Sequence, residues 1–182
     1  MAGQRLTDKS SLTTNPTSDD LLMIVDKSDT TGGSLGTSKK IDNKFIIQTD
    51  KTAVSAAEFQ AMDATGGGGT FKTLISAPGA GYFINVLSAY IVVDYTSGTQ
   101  VAKTTLYLGY ITNTSVYFWS SVKSFMSQET SDNVYSASAQ EGRTINGGAS
   151  AIENKGFYVW AGANYVSAFD ANIYVTYQIV TL

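Results

Sequence analysis

Along the C-terminal half of the chain, apolar and polar positions alternate with the period of a strand. The clearest case is the last segment, where Ile173, Val175, Tyr177 and Ile179 interleave with Asn172, Tyr174, Thr176 and Gln178. A two-residue period puts one set on an inward face and leaves the other polar. Phe83 to Tyr95 is rich in β-branched and aromatic types, and Val101 to Tyr110 continues the pattern after the turn signal Ser97-Gly98. Gly156 to Ala161 predicts a short strand ending before the loop Gly162-Ala163-Asn164, and Asn146-Gly147-Gly148 marks a further turn. Six or more short strands in about 110 residues, with no convincing helix, predict an antiparallel β-sandwich or jelly roll.

The N-terminal half is less regular. Leu21 to Val25 and Ser38 to Ile47 predict two strands around the Thr30 to Gly36 loop. Ser55 to Met62 predicts one short helix, with Ser55 as N-cap and Glu58 three residues on as its capping-box partner. Two turns of helix are marginal alone in water, so this one needs a neighbour.

Composition divides the two halves near Gly66 to Gly69. Residues 1–70 hold sixteen charged residues and two aromatics, Phe45 and Phe59, whereas residues 71–182 hold eleven charged residues and nineteen of the 21 aromatics. An aromatic-poor, charged segment buries little surface by itself; an aromatic-rich one can. The expected organisation is mainly β: an extended attachment arm over residues 1–65 containing short strands and one short helix, a flexible glycine hinge over 66–70, and a sandwich or jelly-roll domain over 71–182.

The chain of 182 residues contains neither cysteine nor histidine. Those two zeros exclude a disulfide framework, a thiolate nucleophile, a Cys/His zinc site and a Ser-His-Asp triad. A net charge of −3 speaks against a nucleic-acid partner. Only 15% of residues are charged, which suits a chain that covers part of its surface with a partner. The longest aliphatic run, Leu21 to Val25, is far short of the roughly 20 residues that cross a bilayer, so no membrane partner is expected. The polar start Met1 to Ser10 has no apolar core of a signal peptide, and the expectation is use without classical export.

Candidate chemistry is thin. The acids of the C-terminal half are Asp94, Glu129, Asp132, Glu141, Glu153 and Asp170. A pair such as Asp94 and Glu153 could in principle flank a glycosidic bond. Solvated loop and strand-end positions are the preferred reading, and no enzymatic role is expected. The glycine run is followed by Thr70-Phe71-Lys72, which is not a phosphate-binding loop. A calcium loop starting at Asp26 fails at its sixth and twelfth positions, Thr31 and Thr37. Asn113-Thr114-Ser115 fits a glycosylation sequon, without consequence in a chain that is not exported. Tyr107, Tyr117, Phe118 and Trp119 could form a sugar-binding platform, with core packing or a subunit interface preferred. No cofactor or metal is expected.

Two segments carry a resemblance. Leu12 to Asp26 (LTTNPTSDDLLMIVD), followed by Gly36-Thr37-Ser38-Lys39-Lys40-Ile41, resembles the N-terminal segment of tailed-phage head-fibre and tail-fibre proteins. Leu74 to Gly81, with Val86 to Ala89, Leu106 to Tyr110 and the ending Ile173 to Leu182, resembles a β-domain of phage fibre, decoration and other minor virion proteins. The resemblance implies a homotrimeric sandwich or jelly roll displayed from the virion, with the arm docked on shell or tail. On this reading the chain is a capsid decoration protein of the cement or head-fibre type, located at the capsid surface and bound to the major capsid protein. Leu21, Leu22, Ile24 and Val25 are the expected apolar anchors, with Lys39 and Lys40 as polar contacts. The alternative is a short tail fibre or baseplate protein that contributes to adsorption on a host glycan.

Overall fold

A computed structural model describes residues 21–26, 37–42, 46–62, 70–98, 104–111, 116–139, 149–166 and 168–182. The loop at 30–36, the glycines 66–69, the sequon at 113–115, Glu141 and the Asn146-Gly147-Gly148 turn lie outside the described residues. The chain divides into two units, Met1–Ile46 and Ile47–Leu182.

In the first unit β1 (Leu21–Asp26) pairs antiparallel with β2 (Thr37–Asp42). In the second, eight strands follow: β3 (Gln48–Val54), β4 (Lys72–Ile75), β5 (Tyr82–Ser97), β6 (Leu106–Ile111), β7 (Val116–Val122), β8 (Asn133–Ala137), β9 (Phe157–Ala161) and β10 (Ala168–Thr181). One sheet has the order β3-β10-β5-β8 and the other β4-β9-β6-β7.

The pairing is nested. β3 pairs with β10, β4 with β9, β5 with β8 and β6 with β7, all antiparallel. The chain thus forms one long hairpin of four strand pairs, and the contacts β10 to β5 and β6 to β9 roll it into two sheets. That wrapping is a jelly roll, which decides between the two architectures the sequence left open.

The inward faces meet in one apolar cluster. Ile84, Ile91, Ile173 and Val175 come from the first sheet, and Leu106, Leu108, Phe157 and Val159 from the second. Tyr110 is buried with them. Its hydroxyl donates to the Ile84 carbonyl at 2.6 Å, linking the two sheets, and burial pushes the phenol pKa up. The long strand β5 carries a register shift: Thr176 faces Ser88 while Tyr177 faces Val86, so Leu87 is an extra residue. The bulge resets the alternation, and Ile84 and Val86 before it point inward, as do Ala89, Ile91 and Val93 after it.

One expected boundary is corrected. Residues 48–62 do not belong to an arm that ends at residue 65. β3 pairs with β10 over seven positions, from Tyr177↔Gln48 to Ala171↔Val54. The helix α1 (Ala56–Ala61) has the anticipated capping box at Ser55 and Glu58, and its neighbour is the jelly roll itself. Phe59 is fully buried with ring centroids 4.6 Å from Phe169 and 5.9 Å from both Phe125 and Tyr165. A buried phenylalanine contributes about 2–3 kcal/mol, which is why a two-turn helix holds here. Composition misplaced the boundary because β3 is polar: its partner strand supplies the apolar surface, and only Val54 of β3 is buried.

Candidate interaction surfaces

The six residues expected to carry docking all fall on the β1–β2 hairpin. In its register Leu22 stands opposite Ile41, Met23 opposite Lys40, Ile24 opposite Lys39, and Val25 opposite Ser38. Positions 22 and 24 share one face of the ladder and 21, 23 and 25 the other. The two lysines therefore lie across from the apolar run, one on each face. Among the described residues β1 and β2 pair with each other alone.

The acids of the jelly roll do structural work. Glu153 Oε1 accepts from the Gly81 amide at 2.7 Å, Asp132 Oδ1 from the Tyr95 amide at 2.9 Å, and Asp170 Oδ1 from the Ala56 amide at 2.7 Å. Glu129 Oε2 accepts from Asn133 Nδ2 at 3.3 Å. Glu153 holds Gly81, the residue just before β5 begins, whereas Asp94 lies thirteen positions beyond it. At about 3.3 Å per residue the two are ~40 Å apart along the strand, and a glycosidase pair needs roughly 5–9.5 Å. The structure does not bring them together.

The aromatic quartet is split. Trp119 stands against Phe157, ring centroids 5.7 Å apart, and with Tyr117 it packs on the core. Tyr107 and Phe118 face the other way, onto the outside of the β4-β9-β6-β7 sheet. There they surround Trp160: Tyr107 stacks on it at 5.7 Å and 23°, Phe118 lies 5.5 Å from it, and 4.9 Å separates Tyr107 from Phe118. Trp160 is only 5% exposed although it stands apart from the central apolar cluster. The bulge at Leu108/Gly109 makes this possible, because it puts Trp119 inward and Phe118 outward. Gly109 is required there; a Cβ would sit 2.1 Å from the Tyr117 carbonyl oxygen.

The outer face of the β3-β10-β5-β8 sheet is different. Val134 is 68% exposed, Tyr90 51%, Leu87 43% and Val92 39%. Register joins Tyr90, Val92 and Val134 into one patch: Val92 faces Val134 on β8 and Asn172 on β10, and Tyr90 faces Ser136 and Tyr174. Tyr174 in turn faces Lys51 on the edge strand β3, whose Nζ lies 5.9 Å from the ring centroid. At the far end Asp94 stands directly opposite Asp170. Sequence reasoning missed this face. Val134 sits in a five-residue strand too short to show a period, and the Leu87 bulge hides which residues of β5 face out.

The polar seams around α1 complete the picture. Lys72 donates to Glu58 Oε1, and the Ser55 amide donates to Glu58 Oε2 at 2.9 Å. The lysine hydrogen bond first, then the Ser55 amide, hold the Glu58 carboxyl below its ordinary range. Comparison with protein-family models and with curated protein sequences gives no match.

Proposed function

We propose that this protein is a structural component of a bacteriophage particle: a decoration protein that binds the assembled capsid through its N-terminal unit and carries a homotrimeric jelly roll at the capsid surface. The observation that carries the reading is the division of the chain into a two-stranded hairpin unit and a separate eight-stranded unit. An isolated hairpin is marginal in water and gains stability when another sheet or surface covers it. Leu21, Leu22, Ile24 and Val25 give that hairpin an apolar run, and Lys39 and Lys40 flank it in register. Strand addition of β1 or β2 to a capsid subunit's sheet gives the docking its backbone hydrogen bonds. The likeness of Leu12 to Ile41 to phage fibre N-termini supports the same assignment.

The mechanism is linkage. A protein that binds only the assembled shell stabilises that shell against disassembly. Three arms on one trimer act at high effective concentration, so weak individual contacts sum.

Removing residues 1–46 tests the reading, because the cut falls between the two units and leaves β3 whole. The expected outcome is loss of co-sedimentation with phage particles and an unchanged jelly roll by circular dichroism. A truncated protein that decorates particles with full affinity overturns it. Particle images then give location: hundreds of copies on the shell support a decoration protein, whereas a few dozen on the tail assign the short-fibre or baseplate role.

A further inference from the structure

We infer that the outer face of the β3-β10-β5-β8 sheet is the contact between copies of this chain, with three such faces turned inward around a threefold axis. The count of three rests on the proposed virion role; the face itself does not.

The chemistry of the patch selects the occupant. Val92, Val134 and Leu87 are aliphatic and offer a sugar or a nucleic acid no hydrogen bond, while their exposure of 39–68% leaves apolar area that a protein surface of like character covers. The charges are placed for self-recognition. Lys51 lies on the edge strand β3, and the acids Asp94 and Asp170 lie on β5 and β10 toward the other end of the patch. Like charges directly opposite on neighbouring strands are unfavourable. The lysine of another copy meets Asp94 when the β3 side of one sheet meets the β5–β8 side of the next. A single patch thus supplies both halves of a head-to-tail contact, which closes as a ring when its rotation is a third of a turn.

The test is the mass of the full-length chain by light scattering and sedimentation, with Val134→Arg, Lys51→Asp, Asp94→Lys and the double variant Lys51→Asp/Asp94→Lys. Positions 134, 51 and 94 are solvent-facing, so circular dichroism is expected to stay unchanged. The wild type is expected to be a trimer. Val134→Arg and each single charge reversal raise the dissociation constant at least about tenfold, and the double variant recovers most of that loss. A monomeric wild type, or a Val134→Arg variant that keeps its oligomeric mass, overturns the face. A double variant that stays dissociated overturns the charge pairing. A dimer split by Val134→Arg supports the face and overturns the threefold arrangement. None of these results depends on particle binding, which the 1–46 deletion reads separately.

Discussion

The two outer faces of the jelly roll both carry aromatics and dispose of them in opposite ways. On the β4-β9-β6-β7 side, Tyr107 and Phe118 close over Trp160 and leave it 5% exposed. Phe71, just before β4, lies edge-on to Tyr158 at 5.0 Å, with its far side open at the rim. On the β3-β10-β5-β8 side, Tyr90 and Tyr174 face each other across two strands, yet Tyr90 is half exposed, and Val92 and Val134 stand beside them uncovered. The first face makes a small second core from one chain. The second keeps its apolar atoms available, and that is what an association surface requires. The difference in side-chain cover follows from register and the two bulges, which a composition count does not contain.

The contrast breaks at specific positions. The largest effect is expected at Gly109→Ala, where the added Cβ meets backbone rather than a movable side chain. Strands β6 and β7 must part, and a loss of about 4 kcal/mol or more in urea unfolding, or failure to fold, is the expected outcome. Trp160→Ala should cost about 3 kcal/mol by removing the centre of the self-covered cluster, while the oligomeric mass stays that of the wild type. Ser55→Ala removes a cap and should cost about 1 kcal/mol. Tyr90→Ala is expected to change the unfolding free energy of the dissociated chain by no more than about 0.5 kcal/mol while weakening self-association. If Trp160→Ala and Tyr90→Ala destabilise the dissociated chain equally, the distinction between the faces is lost.

The smallest effect is one of pH. The Glu58 carboxyl is held below its ordinary value, so the fold favours its ionised form. That contribution is complete above the unfolded-state value of about 4.3. It is lost as pH falls through the lower folded-state value. Stability should therefore carry an acid-side dependence below about pH 4.3 that Glu58→Gln reduces, with no change between pH 5 and 7 from this group. Thermal unfolding of both proteins across pH 3 to 7 measures it.

Particular elements explain what sequence reasoning reached. The helix was readable because Ser55 and Glu58 make contacts three residues apart. β10 was readable because Ile173, Val175 and Tyr177 have buried side chains at a strict two-residue spacing. β1 was readable from its apolar run, whereas the strand expected over Ser38 to Ile47 runs over Thr37–Asp42, and Ile46 and Ile47 lie outside any strand. β3 escaped because its own side chains are polar and its burial depends on β10, more than a hundred residues later. The preferred packing reading of the aromatic quartet holds for Tyr117 and Trp119, while the outward turn of Phe118 was not legible, because one bulge reverses Phe118 and Trp119 and a period of two cannot foresee an inserted residue.

Local rules thus settled the strand class, the capped helix, the glycine that ends β5 with its φ of 80° at Gly98 and the exclusion of histidine and cysteine chemistry. The nested pairing, the place of β3 in the sheet and the split between a covered and an uncovered outer face came from tertiary structure alone. The reason is distance along the chain. Tyr177 hydrogen-bonds to Gln48 across 129 positions, and nothing local to either residue specifies that partner; only closure of the roll brings them together.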